Sequence, residues 1–190
     1  MKNEETLSSR NFQKKIYRLP ENTMVWFADE VFFEVCGKIS HTWGPKGQRI
    51  IVKNNGSSGK DCVIGAVEPY EGKSFFLQWD WIDSRVVSRF FKLLSRRYPD
   101  KKHLVIIDNA AYHTNQGSDD HPLPKTVELW FLPPYSPDFN LVENLWKVLR
   151  DDFFNNKFFK NILELKDYVC DILKNLMNTT QIVLNACGIS

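Results

Sequence analysis

Residues 104–113 read Leu-Val-Ile-Ile-Asp-Asn-Ala-Ala-Tyr-His. An uncharged apolar run rich in β-branched residues is the pattern of a strand buried on both faces. This one ends on an acid, Asp108. Residues 132–146 read Leu-Pro-Pro-Tyr-Ser-Pro-Asp-Phe-Asn-Leu-Val-Glu-Asn-Leu-Trp. That is a proline-stiffened loop leading into an amphipathic helix, with Glu143 in its first turn. Thirty-four residues lie between Asp108 and Glu143. With Asp29 upstream, these two acids form one candidate metal-binding cluster.

Asp29 lies in the run Met24–Phe33, Met-Val-Trp-Phe-Ala-Asp-Glu-Val-Phe-Phe, which is apolar on both faces of a strand. Such a segment suits the centre of a covered sheet. Strand side chains alternate, so Asp29 and Glu30 point opposite ways, and Asp29 shares a face with Val25, Phe27, Val31 and Phe33. A carboxylate among those neighbours is costly unless paired or metal-bound. The other reading ends the strand at Ala28 and leaves both acids in water.

Residues 61–68 and 73–81 read as two further strands, joined by the turn Glu68-Pro69-Tyr70-Glu71-Gly72, so the first half forms antiparallel hairpins. Residues 83–98 form a helix, with Asp83 as N-cap and Pro99 just past the end. Arg85, Arg89, Lys92 and Arg96 line one of its faces, either as a solvated stripe or against DNA. A strand over 103–108 follows, and strand–helix–strand implies a right-handed crossover and a parallel pair. Residues 112–125 make an irregular or partly helical connection, and 127–132 another strand. Helices are expected over 140–154, capped by Asn140, and over 161–178, with a weakly patterned tail after them. The fold class is therefore α/β: a mixed central sheet, antiparallel in its first half and parallel in its second, flanked by helices.

The chain has 190 residues and a mass of 22.3 kDa, enough for one domain with a full core. Residues 1–20 read as a tail or lead-in helix, and 21–190 as one domain. A net charge of +2 does not announce a nucleic-acid binder, so any such surface must come from local patches. Residues 34–60 form a basic β excursion carrying Lys38, Lys46, Arg49, Lys53 and Lys60. A solvated hairpin and a DNA-backbone contact fit it equally. Cys36, Cys62, Cys170 and Cys187 are scattered and match neither a zinc pattern nor a disulfide framework, as expected for reduced thiols in a cytoplasmic protein. No signal peptide or membrane span is expected.

Parallel pairing of the Asp29 and Asp108 strands would set the two acids side by side at the carboxyl end of the sheet, where α/β folds place their sites. The helix starting at Asn140 would then deliver Glu143. Like charges so close cannot all stay ionised unaided. All-oxygen ligands select Mg²⁺ or Mn²⁺. Two such ions about 3.5–4 Å apart clamp the attacking and leaving oxygens of a phosphodiester displacement.

Phe27-Ala28-Asp29-Glu30, Val105-Ile106-Ile107-Asp108-Asn109-Ala110 with His113, and Leu132-Pro133-Pro134-Tyr135-Ser136-Pro137 through Asn140, Glu143 and Trp146 carry a resemblance. Together they resemble the catalytic domain of DDE transposases, in the mariner-like superfamily that includes many insertion-sequence transposases. The gap before Glu143 is typical of the insertion-sequence branch. The resemblance implies a ribonuclease H-like fold with Asp29, Asp108 and Glu143 as catalytic metal ligands for two Mg²⁺ or Mn²⁺ ions. It implies DNA cleavage at transposon ends and transfer of the freed 3′-hydroxyl into target DNA, usually at a TA dinucleotide.

Asn109 and His113 are expected to orient a carboxylate or phosphate, and a purely structural role for His113 fits as well. Lys147 and Arg150 lie one and two turns after Glu143, placed to reach a DNA backbone or to pair with Glu143 or Asp151. Where the family has Leu-Asn-Pro-Ile-Glu, this chain has Phe139-Asn140-Leu141-Val142-Glu143. Losing that proline removes a pre-set φ but no ligand. Expected partners are double-stranded DNA, a helix-turn-helix domain or companion protein, and a second copy of the chain. The stretch before the first strand is too short for a helix-turn-helix domain, so a catalytic fragment, a split-frame product or a remnant is expected. The alternative function is a non-catalytic DNA- or protein-binding module descended from a transposase. A more distant one is a two-carboxylate acid/base hydrolase, active in chelator.

Overall fold

The computed structural model describes residues 19–36, 46, 58–133 and 140–188. β1 (Thr23–Glu34), β2 (Lys60–Glu68) and β3 (Lys73–Trp79) pair antiparallel in sequence. β4 (Lys102–Ile107) and β5 (Val127–Phe131) then add in parallel on the other side of β1, giving the order β3-β2-β1-β4-β5. This is the mixed sheet expected from the sequence. The switch from antiparallel to parallel falls at β1, because α1 (Ser84–Arg97) carries the chain over one face between β3 and β4.

Alternation along β1 builds both cores. Val25, Phe27, Val31 and Phe33 face one side, where Val142, Leu145, Trp146 and Leu149 of α3 (Leu141–Leu149) and Leu165 and Val169 of α4 (Ile162–Met177) cover them. Met24, Trp26 and Ala28 face the other, against Val87, Phe90, Phe91 and Leu94 of α1. Asp83 caps α1 as expected, accepting from the N–H groups of Arg85 and Val86 at 2.9 Å. The connection after β4 is mostly irregular, with one short helix, α2 (Ala111–Thr114).

Two features differ from the sequence expectation. The Glu143 helix is regular only to Leu149 and passes into a π-helical turn over Arg150–Phe154, which keeps Phe154 stacked on Phe33 at 4.2 Å. The expected tail holds a helix, α5 (Thr180–Ala186), with Val183 and Cys187 buried. Its apolar stripe spans barely two turns, too short for periodicity to stand out.

The lead-in expectation for 1–20 falls almost wholly outside the described residues, as do Lys38, Arg49 and Lys53 of the basic excursion. Lys46 is exposed at a turn. Among the described residues, no helix is long and apolar enough to cross a membrane.

Candidate metal centre

The register of β1 against β4 brings the first two acids together. Thr23 lies opposite Lys102 and Phe27 opposite Ile106. Continued two residues, that register would bring Asp29 alongside Asp108, whose charge Asp29 feels. Asp108 is the first residue past β4, so its side chain stands at the carboxyl edge of the sheet.

Glu143 arrives by a different device. Asn140 holds the N-cap position of α3, but its side chain makes no cap. Its Nδ2 donates instead to the carbonyl of Ala28 at 3.0 Å, one residue before Asp29. The first turn of α3 is thereby pinned to β1, with Glu143 exposed in it. Gly65 pairs with Asp29 across β2 and lets α3 lie close. A Cβ there would come within 2.7 Å of Phe76 Cδ1 and closer still to the Trp146 ring. Trp146 is core, as expected.

The acids feel one another. Burial, then the charges of Glu30, Glu143 and Asp108, push Asp29 from 3.8 up to about 7, against one backbone hydrogen bond from Glu30 that favours the charged form. Asp108 is held below the usual carboxylate range by its hydrogen bond with His113, which outweighs partial burial.

His113 is fully buried between two acids. Its Nδ1 stands 2.6 Å from Asp108 Oδ1, and its Nε2 2.7 Å from Glu30 Oε1. Ionised carboxylates only accept, so with both acids ionised both ring nitrogens donate and the ring is an imidazolium. Burial opposes that charge, and the hydrogen bonds to Asp108 and Glu30 overcome it, raising the ring to about 9. The Tyr112 hydroxyl donates to Glu30 Oε2 at 3.4 Å. Burial pushes the phenol up, and the charges of Glu30, Asp108 and Asp29 add to the rise.

His113 therefore contacts a carboxylate, the geometry that an orienting role requires. Asn109 does something else. Its Nδ2 donates to the carbonyl of Leu132 at 2.6 Å, tying the end of β4 to the root of the proline-rich loop. Lys147 and Arg150 are exposed on the turns after Glu143. Sequence reasoning gave Glu30 no role. The available signal was its position on the face of Trp26 and Ala28, where an acid demands a partner.

The donor set is all carboxylate oxygen at the edge of a sheet, with one member driven toward protonation by its neighbours. That chemistry fits a hard divalent cation, which would relieve the crowding. Among the described residues, no three Asp, Glu, His or Cys side chains close on one point in this arrangement. A shared ion therefore requires a side-chain rotation, and Glu143, exposed in the first turn of its helix, is placed for one.

The family described as DDE superfamily endonuclease matches residues 24–166. An uncharacterized protein of Sinorhizobium fredii is 31% identical over 117 residues, which are 61% of this chain and 84% of that one. The insertion element IS630 uncharacterized 39 kDa protein of Shigella sonnei is 28% identical over 137 residues, 70% of this chain and 39% of that one. Two solved structures of the Mos1 mariner paired-end complex share the fold. The complex with Mn has a TM-score of 0.69 and the complex with Mg 0.68. Each is 14% identical, over 94% of this chain and 56% of that one.

Proposed function

The chain belongs to the DDE superfamily endonucleases, and from that premise we propose that it is the catalytic domain of a transposase. The sheet is of the ribonuclease H-like type, and residues 21–190 constitute that domain. The reaction is metal-dependent cleavage of DNA at transposon ends, followed by transfer of the 3′-hydroxyl into target DNA at a TA-containing site. One observation carries the reading: Asp29 on β1, Asp108 at the end of β4 and Glu143 on the helix pinned to β1 by Asn140 come from three remote stretches to one edge of the sheet, which adds to the cost of charging half-buried Asp29. A protein that only bound DNA would gain nothing from that cost.

Asp29, Asp108 and Glu143 would hold two Mg²⁺ or Mn²⁺ ions. Bound there, the ions supply charge for the attacking and leaving oxygens of a phosphodiester displacement. The remaining work falls to this chain's own residues. β1 and β4 hold Asp29 and Asp108 on rigid strands, and the Asn140–Ala28 bond sets the helix that presents Glu143. His113 fixes Asp108 and keeps it ionised at neutral pH. Lys147 and Arg150, with Lys46 and the basic residues Lys38, Arg49 and Lys53, supply charge for the DNA backbone. A helix-turn-helix domain or companion protein would choose the ends, and pairing of two ends calls for a second copy of the chain.

The test is nicking of supercoiled plasmid by the purified protein. Nicking is expected with Mg²⁺ or Mn²⁺, none in chelator, and none in Asp108→Asn with DNA binding retained. Nicking that persists in chelator or in Asp108→Asn rejects the site. DNA binding with no nicking under any metal favours the derived binding module.

A further inference from the structure

We propose that Glu30 is a positioning residue for the metal site: through the ring of His113 it holds the carboxylate of Asp108 in one rotamer. The inference rests on the reading of Asp108 as a metal ligand, and adds to it a residue on the opposite face of the sheet.

The three groups run from inside to outside. The side chains of Glu30 and His113 are 4% and 0% exposed, and that of Asp108 is 54% exposed. Left to itself, so open a carboxylate rotates freely. Here both protein donors converge on one of its oxygens. His113 Nδ1–H donates to Oδ1 at 2.6 Å, and the Ala110 N–H donates to the same atom at 3.0 Å. Among the described residues, Oδ2 receives no hydrogen bond, so it is the oxygen presented at the sheet edge.

The ring can do this only if it is itself held. Nε2–H donates to Glu30 Oε1 at 2.7 Å, and the Tyr112 hydroxyl reaches the other oxygen of Glu30 at 3.4 Å. Tyr112 also stands edge-on to the ring, with centroids 4.6 Å apart. Glu30 and Asp29 are consecutive on a strand, so one short segment supplies a ligand to one face and the support for a second ligand to the other. Outer groups of this kind commonly change metal affinity by about 10–100-fold.

Charge and positioning separate in two variants of the full chain. Glu30→Gln and Glu30→Leu both delete the charge, and only Gln keeps an oxygen that accepts from Nε2–H. Mn²⁺ binding is followed by electron paramagnetic resonance, with Asp108→Asn as control. Glu30→Leu is expected to bind about tenfold more weakly than Glu30→Gln. Equal affinities in the two variants overturn the positioning role while leaving the metal site standing. No Mn²⁺ binding by the unaltered protein, or binding unchanged in Asp108→Asn, overturns the site and the proposal with it. Nitrogen-resolved NMR of the His113 ring adds a reading that does not depend on Glu30→Leu folding. Two slowly exchanging ring N–H signals are expected in the unaltered protein. Failure to find the Nε2–H signal in the unaltered protein overturns the proposal.

Discussion

The side-chain amide of Asn140 donates to the backbone carbonyl of Ala28 at 3.0 Å, across 112 residues of chain. This bond fastens the Glu143 helix to the strand that carries Asp29. It takes the place of a helix cap, so a residue type favoured at N-caps serves the tertiary structure instead of its own helix.

Asn140→Ala leaves a buried carbonyl without its donor, at a cost of about 1–3 kcal/mol. Asn140→Asp is worse, since it sets a carboxylate oxygen against that carbonyl. Thermal unfolding should rank the original chain above Asn140→Ala, and Asn140→Ala above Asn140→Asp. Nicking should fall in both at temperatures where they remain folded, because Glu143 loses its fixed approach.

Gly65→Ala forces a methyl into the Trp146 and Phe76 rings. Overpacking of this kind costs about 1–3 kcal/mol. Trp146→Phe in the same chain makes room, so the double variant should be more stable than the sum of the two single losses. Denaturant midpoints of the four proteins measure that coupling.

Burial raises Asp61 and Glu68 as well, and Asp29 contributes to the pH dependence of the metal-free protein. Its folded value is raised from 3.8 to about 7. The folded state therefore keeps that proton more tightly than the unfolded chain. The associated stability is complete below about pH 4 and is lost as pH rises through 7, at about 1.4 kcal/mol per unit. His113, raised to about 9, continues the same trend at higher pH. In chelator, melting temperature should fall between pH 4 and 7, and Asp29→Asn should flatten that stretch. Added Mn²⁺ should restore stability most at pH 8, where Asp29 is ionised.

Lys147 in α3 and Arg150 just past its end test whether this surface meets DNA. Removing a side chain that neutralises one phosphate makes the slope of log affinity against log salt shallower by roughly 0.9. Lys147→Ala and Arg150→Ala should each show that change on duplex DNA of any sequence. An unchanged slope in both assigns the backbone-binding charge to another surface.

The sequence by itself determined the strands and main helices, the cap at Asp83, and which side of β1 Asp29 and Glu30 each face. These follow from local rules, since the period of apolar residues and the chemistry of helix ends are written within a few positions. The tertiary structure alone decided that Asn140 binds Ala28, that Asn109 holds Leu132, and that His113 spans Glu30 and Asp108. It also decided the π-helical turn after Leu149 and the helix over Thr180–Ala186. A buried polar side chain bonds to whatever donor or acceptor the packed core brings within about 3 Å, and that neighbour is chosen by how the layers meet.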